Sequence, residues 1–132
     1  MAFTFDDVDE LATSLPDVTV GTSWGNRTWK VNGKGFAWQR PLNKADLKRL
    51  GDEKPPAGEI LAVRVESLDA KDALLAMGLR GFFTIEHFNG YAAVLIALRE
   101  ARAKDVRAAI RDAHATMMAR TRKAPRKSRR KS

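Results

Sequence analysis

The chain has 132 residues, 44% of them hydrophobic, a size that suits one domain with its own core. It carries no cysteine, which excludes disulfides, thiolate metal centres and cysteine nucleophiles. The formal charge of +8 is uneven: eight of the 24 Lys and Arg fall in residues 120–132 with no acid, so the other 16 balance all 16 Asp and Glu. A neutral body, residues 1–119, therefore precedes a basic tail whose composition predicts disorder.

The first element is an announced helix. Thr4 and Asp7 hold N-cap and N3 positions, Phe3 and Val8 are spaced as a hydrophobic staple, and Val8, Leu11, Ala12 and Leu15 form an apolar stripe that Pro16 ends. Asp6, Asp7, Asp9 and Glu10 resemble a metal cluster on paper, but acids in a first helical turn serve the helix dipole.

A hairpin follows, turning on Asn32-Gly33 in a two-residue type I′ loop. Its simple register sets Val31 opposite Lys34, Trp29 opposite Phe36 and Arg27 opposite Trp38. One face then carries Arg27, Trp29, Val31, Lys34, Phe36 and Trp38, and meets the core. The other carries Thr28, Lys30, Gly35 and Ala37.

Residues 41–59 read as a polar excursion with room for one helical turn around Ala45 to Leu50. Ile60 to Val65 reads as a strand, and Ser67 or Asp69 caps a helix that Gly78 ends. Phe82 to Phe88 and Tyr91 to Leu98 are predicted as a second hairpin on Asn89-Gly90, with Phe88 opposite Tyr91. The apolar run from Ala92 to Leu98 suits a central strand covered on both faces. A last helix, about Lys104 to Arg120, carries Val106, Ala109, Ile110, Ala113 and Met117 on one side, and Pro125 argues against its continuation. The order α-ββ-β-α-ββ-α predicts an α+β fold, an antiparallel sheet with the terminal helices packed against it.

Neither histidine suggests catalysis. His114 lies beside the last helix's apolar stripe, and Glu86 and His87 are strand neighbours that point apart. No phosphate-cradling glycine loop follows a strand. The expectation is a non-enzyme without cofactor or metal. The acidic N-terminus is unlike a signal peptide, and the longest apolar run, residues 91–98, is too short to cross a bilayer. The chain reads as cytoplasmic and monomeric, with no membrane partner.

Four segments carry a family resemblance. They are the first helix ending in Leu15-Pro16, the stretch Thr22-Ser23-Trp24-Gly25, the hairpin Val31-Asn32-Gly33-Lys34-Gly35-Phe36-Ala37, and the run from Phe83 through Glu86-His87-Phe88-Asn89-Gly90-Tyr91 to Leu95. In this order and spacing the chain resembles the MmcQ/YjbR-like family over residues 1–120. The resemblance implies a CyaY-like α+β fold and a "double wing" mode of DNA binding, the two Asn-Gly hairpins being the wings. Ile85-Glu86-His87 departs from the family's usual Thr-Pro-His, and the basic tail is not a family feature.

The expected function is therefore binding of DNA or another polyanion, largely blind to sequence. Arg120, Arg122, Lys123, Arg126, Lys127, Arg129, Arg130 and Lys131 would supply charge, and Arg27, Lys30 and Lys34 the contacts of the body. The competing expectation is a small-ligand or protein-binding module, with a pocket between the sheet and the terminal helices lined by Trp24, His87 and Tyr91.

Overall fold

The structure is a computed structural model that describes residues 3–51, 54–56 and 58–131, with the side chains of residues 121–131 outside the description. Helix α1 (Phe5–Ser14) begins as the sequence announces. The Thr4 hydroxyl accepts from the Asp7 N–H, and the Asp7 carboxylate accepts from the Thr4 N–H at 2.9 Å. Phe3 and Val8, the staple pair, are both buried. Asp9 on the same helix accepts from the indole N–H of Trp29 at 2.9 Å, so this acid anchors a core tryptophan.

Six strands form one antiparallel sheet: β1 (Val18–Ser23), β2 (Asn26–Val31), β3 (Lys34–Gln39), β4 (Ile60–Arg64), β5 (Phe82–Phe83) and β6 (Ala93–Ala97), in the spatial order β1-β2-β3-β4-β6-β5. Helix α2 (Lys44–Leu50) follows β3, α3 (Leu68–Ala76) follows β4, and α4 (Ala103–Lys131) follows β6. This is the α+β architecture expected, with β1 added at one edge.

Two cores sandwich the sheet. Alternate residues Leu61 and Val63 of β4, and Val94 and Ile96 of β6, join Trp29, Val31 and Phe36 beneath α1 and α4. Their neighbours Ile60, Ala62, Ala93 and Leu95 face the other way, beneath Ile85 and Phe88. Strand β6 is thus buried on both faces, as its unbroken apolar run requires. The second core covers only the β4–β6 half of its face. Over β1, β2 and β3 that face is open.

The first hairpin corrects the simple register. Val31 does face Lys34 across Asn32-Gly33, whose φ values of 51° and 82° suit a type I′ loop. But Trp29 pairs with Ala37 and Thr28 with Trp38, because Phe36 is an extra residue on β3. Phe36 and Ala37 both enter the main core, and Trp38 is turned onto the opposite face, against the second core. The expected grouping of Trp38 with Trp29 and Phe36 fails for that reason. The Gln39 side chain accepts from the Arg27 N–H at 2.9 Å, a side-chain substitute for a rung of the ladder.

The second hairpin is also different. Its strand stops at Phe83, with Phe82 opposite Ile96 and Phe83 opposite Leu95, one step from the expected register. Residues Glu86–Phe88 form a short 3-10 turn, and Asn89-Gly90 takes a type II geometry, φ −61° and ψ 130° followed by φ 77°. Burial of Ile85 and Phe88 pulls this segment over the sheet instead of letting it extend as a wing.

Helix α4 runs past the boundary expected near Arg120 and through Pro125 to Lys131. Ala, Lys and Arg are strong helix formers and favour this continuation, against the lost bond and the clash that Pro125 brings inside a helix. Arg120 itself is docked on the body, donating to the Glu66 carbonyl at 2.8 Å. How the cations from Arg122 to Lys131 are disposed lies outside the described residues.

Candidate functional site

The open half of the sheet holds a groove of about 720 Å³. Its floor follows from strand alternation: Asn26, Thr28 and Lys30 of β2 point into it, while Arg27, Trp29 and Val31 point to the helices. Gly35 on β3 clears the centre, since a Cβ there would stand 3.0 Å from the Thr28 methyl. Gly21 on β1 does the same for Lys30, whose ammonium would lie 3.3 Å from a Cβ at that position. Lys30 therefore lies across the sheet toward β1.

The walls come from two loops. At one end the β1–β2 hairpin turns on Trp24-Gly25, with φ values of 54° and 79°, a second two-residue loop of the primed type. Trp24 stands there 97% exposed. Over β3 and β4 the loop after β5 contributes His87 and Tyr91, beside Trp38. An adjoining hollow of about 460 Å³ shares Trp38, Arg40, His87 and Tyr91 and adds Phe88.

Arg64, the last residue of β4, ties this side together. Its Nε donates to the Gly35 carbonyl at 2.9 Å, and its guanidinium carbon lies 5.6 Å from the Trp38 ring and 5.3 Å from the Tyr91 ring. The rest of the guanidinium fork has no acid partner among the described residues. Arg40, by contrast, is committed to buried Asp46 at 3.0 Å, and Asp46 also caps α2 through Asn43. Among the described residues no Asp or Glu lines the groove. Glu86 lies outside it, exposed, 3.8 Å from Arg49.

A buried lysine holds the aromatic wall. Lys71 of α3 is 5% exposed and donates to the Phe88 carbonyl at 2.5 Å and the Tyr91 carbonyl at 2.9 Å. Desolvation lowers its pKa from the ordinary 10.5, opposed in part by the Asp72 carboxylate. Between the lowered value and 10.5 the unfolded chain binds more protons than the folded one. Unfolding free energy therefore rises with pH across that window, and below it the desolvation cost is carried in full. Denaturant unfolding of wild type and Lys71→Met from pH 8 to 10.5 should show this extra rise in the wild type alone.

The sequence candidates separate on this frame. Trp24, His87 and Tyr91 line one cavity, but on the face opposite the terminal helices rather than beneath them. Of the three body cations, Lys30 enters the groove. Arg27 lies on the helix-covered face, 5.9 Å from the Trp29 ring, and Lys34 sits exposed at the β2–β3 tip. The three do not form one surface. His114 is a packing residue, buried, edge-on to Phe36, with Nε2 2.8 Å from the Pro16 carbonyl. Arg64 escaped notice although its signal was present: a charge at the end of an apolar strand, in phase with Ile60 and Ala62.

Among the described residues no group of three or more His or carboxylate side chains is placed to hold a metal ion. No helix among them is long and apolar enough to cross a membrane.

A family model described as YjbR matches residues 13–116. The chain is 40% identical over 113 residues to the uncharacterized proteins Rv2570 and MT2646 of Mycobacterium tuberculosis and Mb2600 of Mycobacterium bovis, covering 83% of this chain and 84% of each relative. No solved structure gives a significant match.

Proposed function

The chain belongs to the YjbR family, and from the open face of its sheet we propose that it is a non-enzymatic nucleic-acid-binding protein. The observation that carries this reading is the groove over β1, β2 and β3. It combines two cations, Lys30 and Arg64, with exposed aromatic surface, and among the described residues neither has an acid partner and no carboxylate lines the groove. Cations beside free ring faces suit a phosphate backbone carrying bases. The basic segment of residues 120–132 adds sequence-blind attraction to the same polyanion.

The face now invoked differs from the wings. The Asn89-Gly90 turn is folded against the sheet, held through Lys71, and does not project. Among the body cations, Lys30 stays in the interface, Arg64 joins it, and Arg27 leaves it.

Neutralising the groove tests the reading. With the full chain and a labelled oligonucleotide, Lys30→Gln combined with Arg64→Gln should flatten the log–log salt dependence of affinity by about 2, one for each phosphate no longer neutralised. Thermal melts of the same variant establish that it folds. An unchanged slope in a folded variant removes the groove from the interface.

A further inference from the structure

The groove's aromatic residues specify more than a charge class. Resting on the nucleic-acid reading above, we propose that the groove takes a single strand, with an unpaired base stacked on Trp24. Three observations converge on this.

The first is the conformation of Trp24. Its φ of 54° is left-handed, a region where a bulky side chain is an outlier and where this turn type favours Asn, Asp or Gly. The ring is 97% exposed and makes no aromatic contact among the described residues. The Asn26 amide donates to the Trp24 carbonyl at 3.4 Å, a bond any residue at this position could accept. No packing of the indole among the described residues therefore offsets the strain. Strained backbone positions of this kind cluster at ligand-contacting sites. Asn in the same place would satisfy the turn.

The second is shape. A duplex offers its bases only as edges inside its grooves, and it is read by an element that projects into them. Here the cations and rings line a concavity. Gly21 and Gly35 keep its floor clear along β2, whose six residues span about 20 Å. A free ring face suits a base that is not stacked in a helix, and single strands provide such bases.

The third is the arrangement across the strands. Trp24 stands at the β1–β2 turn, and the Lys30 side chain lies across the floor toward β1. Trp38, opposite Thr28 on β3, and Tyr91 stand on the other side of β2, with Arg64 beside both rings. Rings with cations beside them form a platform for bases and a track for the backbone.

The test uses the full chain and three labelled probes of about twelve nucleotides: a thymidine single strand, the same backbone without bases, and a duplex. Fluorescence anisotropy at one salt concentration gives the three affinities for wild type and for Trp24→Asn. The thymidine strand should bind about tenfold more tightly than the abasic strand. Trp24→Asn should erase most of that difference, leave duplex affinity unchanged, and melt at an equal or higher temperature. The basic tail meets the thymidine and abasic backbones alike and does not create the difference between them. If abasic and thymidine strands bind equally, or if Trp24→Asn changes neither, stacking is overturned while nucleic-acid binding stands. If the duplex binds as tightly as the thymidine strand and loses as much on Trp24→Asn, the single-strand preference is overturned. If none of the probes binds, the underlying functional reading falls with it.

Discussion

Gly81→Ala should lower the unfolding free energy by about 3 kcal/mol or more, with a Tm lower by roughly 10 °C. Gly81 has φ +81°, where an alanine costs about 1–2 kcal/mol by itself. Its surroundings add a second cost. A Cβ would stand 2.7 Å from the Ala97 carbonyl oxygen and 2.9 Å from the Ala101 N–H nitrogen. Those two atoms already bond to each other, and the Gly81 carbonyl accepts from the Ala97 N–H at 2.7 Å. The third neighbour, the Ala101 Cβ at 3.1 Å, has no rotamer to change either, so only backbone movement relieves the clash. The end of β6, the turn after it and the start of β5 would have to move together. Gly25→Ala is the control: its φ is +79°, but nothing lies within 4 Å of the added carbon. It should pay the conformational cost alone. Equal losses in thermal melts of the two variants would show that the close approach at Gly81 contributes nothing.

Ending the chain after Arg120 should produce the largest change in binding. Seven of the eight tail cations lie beyond that residue, and Arg120, anchored on Glu66, stays with the body. If all seven meet phosphates, the log–log salt slope flattens by about 5 on a single strand and about 6 on a duplex. Affinity at low salt then falls by orders of magnitude, while affinity at high salt changes far less. Titrations of one oligonucleotide at two salt concentrations measure this directly. An unchanged slope would take the tail out of the interface. Complete loss of binding at low salt would leave the groove with no measurable share and overturn its assignment.

Local chemistry made part of this fold readable and long-range packing hid the rest. Thr4 with Asp7, Ser67, and Asn32-Gly33 carry their instructions within a few residues, and each starts or turns its element as predicted. Strand β1 was invisible because it is an edge strand. Its Val18 touches the core, Val20 is 46% exposed, and Thr19, Gly21 and Ser23 show no contrast with loop composition. Asn89-Gly90 misled because the same pair suits more than one turn. The choice was made by Ile85 and Phe88 entering the second core and by Lys71, distant in sequence, binding the loop's carbonyls. For the site, Trp24, His87 and Tyr91 could be gathered as lining, yet which face they occupied depended on the order of strands. Arg27 was grouped with Lys30 by proximity in sequence, although alternation along β2 separates them.

The extra residue at Phe36 makes the main core a matter of chain length as much as of side-chain identity. Two consecutive side chains, Phe36 and Ala37, enter the main core, while Trp38 keeps its place opposite Thr28 on the groove face. Straightening the strand with both residues kept would turn the Trp38 indole toward Trp29 and leave Arg64 without its ring. Deleting one residue between Gly35 and Trp38 would instead restore plain alternation, leave the indole in the groove and take one side chain from the main core. Substitutions at Trp38 and gaps just before it are therefore different kinds of event. A relative that keeps the tryptophan but lacks one position ahead of it has given up core and kept this wall.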